Sequence, residues 1–121
     1  MSEDKTVPSP VGPYRPYVRA ENFVFCSGQI GLDAAGTLKN SFSEQFQQAM
    51  ANLEAVLADA GAGLGSIVKT TVFLVDADHF SVMNEAYANY FAASLPARSC
   101  VIVKELPRGA LVEIEALAHL G

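Results

Sequence analysis

The chain has 121 residues, 50% of them hydrophobic and 17% charged, with a net charge of −5 at pH 7. This composition excludes a disordered chain and fits one domain, residues 1–121, with a substantial core. The acidic balance argues against a nucleic-acid partner, because a phosphate backbone is bound by lysine and arginine. Two cysteines, Cys26 and Cys100, lie in apolar runs and are expected to be free thiols. The N-terminus lacks the apolar core of a secretion signal, and no run reaches the length of a membrane span, so we expect a cytoplasmic protein.

Hydrophobic periodicity predicts a single α+β domain without repeats or linkers. Runs rich in β-branched and aromatic residues indicate strands, and apolar residues three and four apart indicate helices. In chain order, the predicted elements are an extended arm (1–11), two strands (17–19 and 22–27), a helix that follows Ser41 and ends before Gly61, a strand (67–75), a helix from Asp76 or Asp78 to about Ala92, and two strands (98–104 and 111–118).

The helix ends have recognisable signals. Ser41 and Glu44 have the spacing of a capping box, and Gly61 suits the end of the same helix. Asp76 or Asp78 can cap the second helix. Its predicted inward stripe consists of Phe80, Met83, Tyr87 and either Tyr90 or Phe91.

Two such helices cover only one face of the predicted sheet. The strand at 67–75 carries apolar groups on both sides, which is typical of a strand inside a sheet covered on both faces. Another copy of the chain is the simplest cover for the second face. We therefore expect a closed homo-oligomer with clefts between subunits.

Near the N-terminus, one stretch is a candidate for a binding site and another is a rigid bend. Residues 27–31 (SGQIG) follow a strand, and glycines there let the backbone approach a ligand to which Ser27 can direct its hydroxyl. Gly12 and Pro13 mark a bend that fixes the place of Tyr14.

The last two strands carry most of the ionisable candidates. Side chains alternate along a strand, so Arg98 and Cys100 share one face of the first run, and Glu113 and Glu115 share one face of the second. In a strict hairpin about Arg108, Glu113 would be roughly 17 Å along the strand from Arg98. Either the two runs are not hairpin partners, or the two side chains meet through another subunit.

Each of these side chains has a structural and a functional interpretation. Arg98 either pairs with a structural carboxylate or clamps a small carboxylate through two parallel hydrogen bonds. Glu113 is either such a partner or a group that orients a water. Cys100 is either a packed, inert thiol or a thiolate favoured by the neighbouring cation. Composition alone favours the structural interpretation of Arg98 and Cys100.

The sequence contains no motif for a metal site, a serine hydrolase or a nucleotide-binding loop. His79 and His119 are isolated, so no metal site is predicted. Neither a Gly-x-Ser-x-Gly elbow nor a glycine-rich phosphate loop occurs in the sequence.

Five separated motifs occur in order along nearly the whole chain: GPY at 12–14, SGQI at 27–30, VKTTVF at 68–73, PARSCV at 96–101, and LP at 106–107 with VEIEA at 112–116. Together they resemble the motifs of the RidA family of enamine and imine deaminases. The resemblance implies a chorismate-mutase-like α+β fold with a mixed, mainly antiparallel sheet and two helices on one face. It also implies a homotrimer with clefts between subunits.

The resemblance further implies a function and its residues. The reaction would be hydrolysis of 2-aminoacrylate, through 2-iminopropanoate, and of 2-iminobutanoate to 2-keto acids and ammonia, with no metal or other cofactor. Arg98 would hold the substrate carboxylate, and Glu113 would orient the attacking water. The other residues implied to contact the substrate are Tyr14, Ser27, Gly28, Asn84 and Cys100. The expected partners are this small molecule and further copies of the chain, with no membrane.

Some features depart from the family pattern, and two other functions stay open. Arg15 and Tyr17 stand where family members usually carry small or uncharged residues, and the loop before Pro96 is short. One alternative is a non-enzymatic module that binds small 2-keto or 2-imino acids. The other is the ribonuclease or translation-inhibitor activity ascribed to some family members, against which the acidic charge and the lack of a catalytic histidine pair count.

Overall fold

The computed structural model describes residues 7–121, so residues 1–6 of the predicted arm lie outside the described residues. The predicted elements occur in the predicted order. They are β1 (Tyr17–Ala20), β2 (Phe23–Gln29), α1 (Phe42–Asp59), β3 (Ile67–Leu74), α2 (Phe80–Tyr90), β4 (Ala97–Ile102) and β5 (Val112–His119). Within residues 7–121, no helix is long and apolar enough to cross a membrane.

The five strands form one mixed sheet in the order β1-β2-β5-β3-β4. Neighbouring strands are antiparallel except β3 and β4, which run parallel and are joined through α2. The α+β class and the mainly antiparallel sheet are therefore confirmed. Because β3 lies between β4 and β5, it is an interior strand as predicted, and the last two strands are not hairpin partners.

The first helix forms as its sequence signals predict. Ser41 Oγ accepts a hydrogen bond from the Glu44 amide at 3.1 Å, and Glu44 Oε1 accepts one from the Ser41 amide at 3.2 Å. Gly61 follows the helix with a φ of 80°, a conformation that glycine adopts without strain. The large apolar side chains that α1 buries completely are Phe46, Met50, Leu53, Val56 and Leu57.

The second helix differs from its prediction at its start. Asp76 accepts a hydrogen bond from the Asp78 amide at 2.9 Å, but this caps a short 3₁₀ turn, Ala77–His79, and α2 begins at Phe80. Phe80 faces the sheet, with its ring 5.8 Å from the guanidinium carbon of Arg98, but it is not buried as the predicted stripe implied, since it is 41% exposed. Phe80 lies in the first helical turn over the edge strand β4, beyond which the described chain has no further strand. The residues that α2 buries are Met83 and Tyr87, followed by Phe91 directly after its end.

Two buried amides on α1 fix the chain around the end of β2. Asn52 donates to the carbonyls of Ile30 at 3.1 Å and Leu32 at 2.9 Å. Gln45 accepts a hydrogen bond from the Leu111 amide at 2.8 Å, just before β5. These bonds satisfy main-chain groups that have no sheet partner, so they hold the end of β2 and the start of β5 in one place.

The sheet face opposite the helices is open in the single chain and carries several exposed apolar side chains. Its large exposed side chains, between 40% and 50% accessible, are Val18, Phe23, Phe25 and Val101. An apolar surface of this kind is typical of an interface between proteins. The expectation that another copy covers this face stays a prediction.

We expect Gly31→Ala to destabilise the fold. A Cβ at this position would lie 2.6 Å from Cα and 2.7 Å from the carbonyl oxygen of Gln45. These are main-chain atoms inside α1 that cannot move aside, so the free energy of unfolding should fall by about 1–3 kcal/mol in urea titrations. Gly63→Ala is the matched control, because no atom lies within 4 Å of a Cβ there. Equal effects of the two substitutions would contradict the close approach of Gly31 to α1.

Candidate active site

A β-bulge shapes the end of β2 and places Gly28 against Glu113. Pairing with β5 is regular up to Cys26 and resumes at Gln29, so Ser27 and Gly28 form the irregular step. A Cβ on Gly28 would lie 2.8 Å from Cδ and 3.0 Å from Cγ of Glu113. The carboxyl group therefore occupies the space that any other residue at position 28 would fill.

Ser27 ties the preceding arm to this bulge. Its hydroxyl donates to the Arg15 carbonyl at 2.6 Å, and its amide donates to the Pro16 carbonyl at 2.9 Å. The hydroxyl proton is thus committed within the chain, and only the oxygen lone pairs remain for a ligand. The same bonds bring Tyr14 to this end of β2, with its side chain 44% exposed. We call this set the glutamate corner; it consists of Tyr14, Ser27, Gly28 and Glu113.

The Glu113 carboxyl is half-buried on the open face of the sheet. Burial, and secondly repulsion from Glu115, raise the pKa of Glu113 above its ordinary value of 4.5. Glu115 lies two residues further along β5 on the same face. A carboxyl group with a raised pKa exchanges protons more readily near neutral pH than an ordinary glutamate does.

Arg98 lies on the opposite, helix-facing side of the sheet. Its guanidinium carbon is 4.8 Å from the centre of the Tyr87 ring and 5.8 Å from that of Phe80, and Nη1 donates to Met83 Sδ at 3.7 Å. Within residues 7–121 these contacts are aromatic rings and a thioether, and none is a carboxylate. The guanidinium keeps most of its N–H groups available for an anion.

Cys100 lies on the same strand as this arginine, and Asn84 lies on the helix whose residues contact it. Cys100 is two residues along β4 on the same face, and burial raises its pKa while Arg98 lowers it to a smaller extent. This balance favours a thiol over a thiolate. Asn84 lies one turn after Phe80 on α2, and its Oδ1 is buried without a hydrogen-bond partner among the described residues. We call this set the arginine cluster; it consists of Phe80, Met83, Asn84, Tyr87, Arg98 and Cys100.

The structure does not bring the two sets together within one chain. Arg98 pairs with Thr70 of β3, whereas Glu113 pairs with Phe73 of the same strand. Three residues along a strand are about 10 Å, and two strand spacings are about 10 Å, so the two Cα atoms are roughly 14 Å apart. Their side chains also leave opposite faces of the sheet. One small molecule cannot contact both groups of the same chain.

The two residues that depart from the family pattern lie in different places. Tyr17 is on the helix side of β1, where its hydroxyl donates to Asp59 Oδ2 at 2.9 Å, away from the glutamate corner. Arg15 supplies its carbonyl to Ser27 and is exposed. The extra bulk of Tyr17 therefore packs against α1.

Sequence reasoning gave no functional role to Tyr87 or Thr70. Tyr87 was predicted as a core residue, and only the packing of α2 over β4 puts its ring beside Arg98. Two sequence signals could have indicated this contact. Alternation along the strand puts Arg98 and Cys100 on one face, and the apolar stripe of α2 includes Tyr87. Among residues 7–121, no group of three or more His, Cys, Asp or Glu side chains is arranged to hold a metal ion.

Comparisons with known proteins show the family to which the chain belongs. Residues 4–120 match the family model described as endoribonuclease L-PSP. The chain is 44% identical over 116 residues to the 2-iminobutanoate/2-iminopropanoate deaminase of Mus musculus, covering 94% of this chain and 86% of that protein. The fold matches RidA of an Antarctic Psychrobacter species with a TM-score of 0.92 and 37% identity, over 98% and 97% of the two chains. It matches Escherichia coli TdcF, solved with bound serine, with a TM-score of 0.90 and 36% identity, over 95% and 94%. On the extent of these matches, the chain belongs to the endoribonuclease L-PSP family, which includes the RidA proteins.

Proposed function

We propose that this protein is a deaminase that hydrolyses small 2-imino acids, 2-iminopropanoate (from 2-aminoacrylate) and 2-iminobutanoate, to 2-keto acids and ammonia. The observation that carries the proposal is the Arg98 guanidinium, half-buried and without a carboxylate partner in residues 7–121. A relative that is 44% identical bears the name of this activity, which supports the choice of substrate.

The proposed site is shared between neighbouring copies of a homotrimer. The arginine cluster and the glutamate corner lie on opposite faces of one sheet, so a common ligand needs two chains. In a cyclic trimer each contact is head-to-tail, and one face of a copy meets a different face of the next. The open apolar face, which includes Phe25 and Val101, supports such packing.

Binding of the substrate depends on its carboxylate. Arg98 receives the carboxylate through two charge-assisted hydrogen bonds, which a planar guanidinium makes in parallel. Asn84 and the main chain near Cys100 add polar contacts from the same copy. Tyr14 and Ser27 of the next copy close the pocket over the reacting carbon.

The chemistry is the addition of water to an imine and the loss of ammonia. The protonated imine carbon is electrophilic, so no metal or covalent nucleophile is required. Glu113 accepts a proton from the attacking water as the C–O bond forms and returns it to the nitrogen. The C–N bond then breaks, ammonia leaves, and the hydroxyl becomes the keto oxygen as its proton passes to Glu113. The raised pKa of Glu113 suits both directions of this proton transfer.

The same clamp would serve a protein that binds 2-keto acids without turning over imines. Such a module would bind pyruvate in an Arg98-dependent manner and release no ammonia above the spontaneous rate. The name of the matching family model raises ribonuclease activity as well. The net charge of −5 and the absence of histidine from both clusters count against cleavage of RNA.

We expect Arg98→Ala and Glu113→Gln each to abolish most of the activity. Removing a charged clamp costs about 2–5 kcal/mol, or roughly 30-fold to several-thousand-fold in rate if the transition state bears the whole loss. The measurement is ammonia release from 2-iminopropanoate generated in situ by an amino-acid oxidase, corrected for spontaneous hydrolysis. Unchanged rates of ammonia release in both variants would contradict the mechanism.

Co-assembly of the two inactive variants tests the shared site. If copies mix at random, about a quarter of the sites combine an intact Arg98 from one chain with an intact Glu113 from its neighbour. Co-expressed variants should therefore recover about a quarter of the wild-type activity. Separately purified trimers, mixed without dissociation, are the control and should stay inactive. No recovery in the co-expressed sample would mean that both residues act within one chain.

Glu115→Gln should lower the pKa of Glu113. Removing the neighbouring negative charge makes ionisation of Glu113 easier, so its titration moves to lower pH, toward the ordinary value of 4.5. Carboxyl carbon NMR of Glu113 measures the shift directly. The acidic limb of the kcat/KM profile should move in the same direction. Glu85→Gln, on the exposed side of α2, is the control and should leave the titration of Glu113 unchanged. An unchanged pKa of Glu113 in Glu115→Gln would contradict the coupling.

Gly28→Ala should reduce activity by displacing the Glu113 carboxyl. The added Cβ would lie within 3.0 Å of Glu113 Cγ, and the flexible side chain can swing aside. We expect a loss of about tenfold or more in kcat/KM, equivalent to about 1.4 kcal/mol, with little change in the thermal midpoint. Combined with Glu113→Gln, the alanine should add almost nothing, because both changes act on one group. Gly65→Ala, where no atom lies within 4 Å, is the matched control. Additive losses in the double variant would count against this account.

A further inference from the structure

The Arg98 guanidinium rests on a ring that is itself held in place. Its carbon is 4.8 Å from the centre of the Tyr87 ring, and the Tyr87 hydroxyl is 2.6 Å from Thr70 Oγ1. Thr70 and Tyr87 are 0% and 4% exposed. Thr70 is also the residue opposite Arg98 in the pairing of β3 with β4. Strand pairing, a hydrogen bond and a cation–π contact thus link three residues in a closed loop.

We propose that Tyr87, fixed by Thr70, is a positioning residue that holds the Arg98 guanidinium ready for a carboxylate. The inference rests on the proposed role of Arg98 as the carboxylate clamp. An arginine side chain has many rotamers, and no carboxylate in residues 7–121 restrains this one. An aromatic ring under the guanidinium attracts the cation without accepting its N–H groups, which stay free for the ligand.

The protonation state of the tyrosine agrees with this role. Burial raises the pKa of Tyr87, and this outweighs the opposing effects of Thr70 and Arg98. The side chain is therefore a neutral phenol at physiological pH and does not neutralise the guanidinium beside it. A phenolate there would compete with the substrate carboxylate for the same cation.

The Thr70–Tyr87 hydrogen bond is not needed for packing alone. Replacing both partners of a buried hydrogen bond by apolar groups of similar shape is often nearly neutral for stability. Valine and phenylalanine have nearly the shapes of threonine and tyrosine. What the hydroxyl pair adds is a fixed position of the ring, because it ties the far end of Tyr87 to the strand beside Arg98.

The test compares carboxylate binding in a set of position 87 variants. Pyruvate and 2-oxobutanoate are titrated calorimetrically into wild-type protein, Arg98→Ala, Tyr87→Leu, Tyr87→Phe and the double variant Thr70→Val with Tyr87→Phe. We expect Tyr87→Leu to raise Kd and KM by about tenfold, with a smaller change in kcat. Tyr87→Phe keeps the ring but loses the hydrogen bond to Thr70, so in both its single and double forms it should bind more weakly than wild type and more tightly than Tyr87→Leu. Tyr90→Leu and Tyr90→Phe are the controls, since Tyr90 lies on the same helix against Phe46.

A spectroscopic measurement tests the contact without any substitution. Protons of the Arg98 side chain over the Tyr87 ring should show an upfield ring-current shift in the wild type and in Tyr87→Phe. The absence of this shift in folded wild-type protein overturns the inference even if Tyr87→Leu fails to fold.

The outcomes separate the two proposals. If Arg98→Ala leaves keto-acid binding unchanged, Arg98 does not bind the substrate carboxylate and the proposed function is contradicted. If Arg98→Ala abolishes binding while folded Tyr87→Leu binds as tightly as wild type, only the positioning role of Tyr87 fails. Loss of binding in Tyr90→Leu equal to that in Tyr87→Leu would also overturn it, because the effect would then be general to the helix.

Discussion

The alternation of side chains across the sheet is the constraint on which the rest of the site depends. Arg98 on β4 and Glu113 on β5 lie on opposite faces with β3 between them, so they cannot form an ion pair within one chain. If the two side chains formed an ion pair, each would occupy the other's charge and hydrogen-bonding groups, and neither would be available to a ligand. Their separation leaves the guanidinium with only weak partners. It also leaves Glu113 without a cation from its own chain, so burial and the negative charge of Glu115 raise its pKa.

The glutamate corner is held mainly by main-chain geometry. The bulge at Ser27 and Gly28 interrupts the ladder, and the missing side chain of Gly28 makes room for the carboxyl of Glu113. Asn52 and Gln45 bind main-chain groups of Ile30 and Leu111, which lie just beyond the end of β2 and just before the start of β5. A group that exchanges protons needs a fixed position and a variable charge. Here the fixed position comes from neutral amides and main chain, which do not titrate with it.

The sequence alone predicts the elements whose signals are local. α1 is predictable because the capping box, the apolar stripe and the terminal glycine all lie within its own residues. The lack of a hairpin between β4 and β5 was one of two alternatives that spacing left open, and only the position of β3 between these strands establishes it. The exposure of Phe80 was not predictable, because it depends on the position of β4 at the edge of the sheet. The bulge at Ser27 and Gly28 could not be predicted either, because the alternation of side chains in the sequence does not reveal it. The site residues Tyr14 and Asn84 came from family resemblance, since nothing in their spacing singles them out.

The proposed shared site couples ligand charge to the protonation of the glutamate. In the proposed trimer, the guanidinium of one copy would approach Glu113 of the next and favour its ionised form, against the effects of burial and Glu115. A substrate carboxylate bound to Arg98 cancels that positive charge. The pKa of Glu113 would then be higher in the complex than in the free site, which is when the carboxylate must accept a proton from water. Because a neutral Tyr87 leaves the charge of Arg98 intact, the arriving carboxylate is the group that changes this balance. In this proposal, the Arg98 cation both binds the substrate and, once neutralised, raises the basicity of Glu113 across the interface.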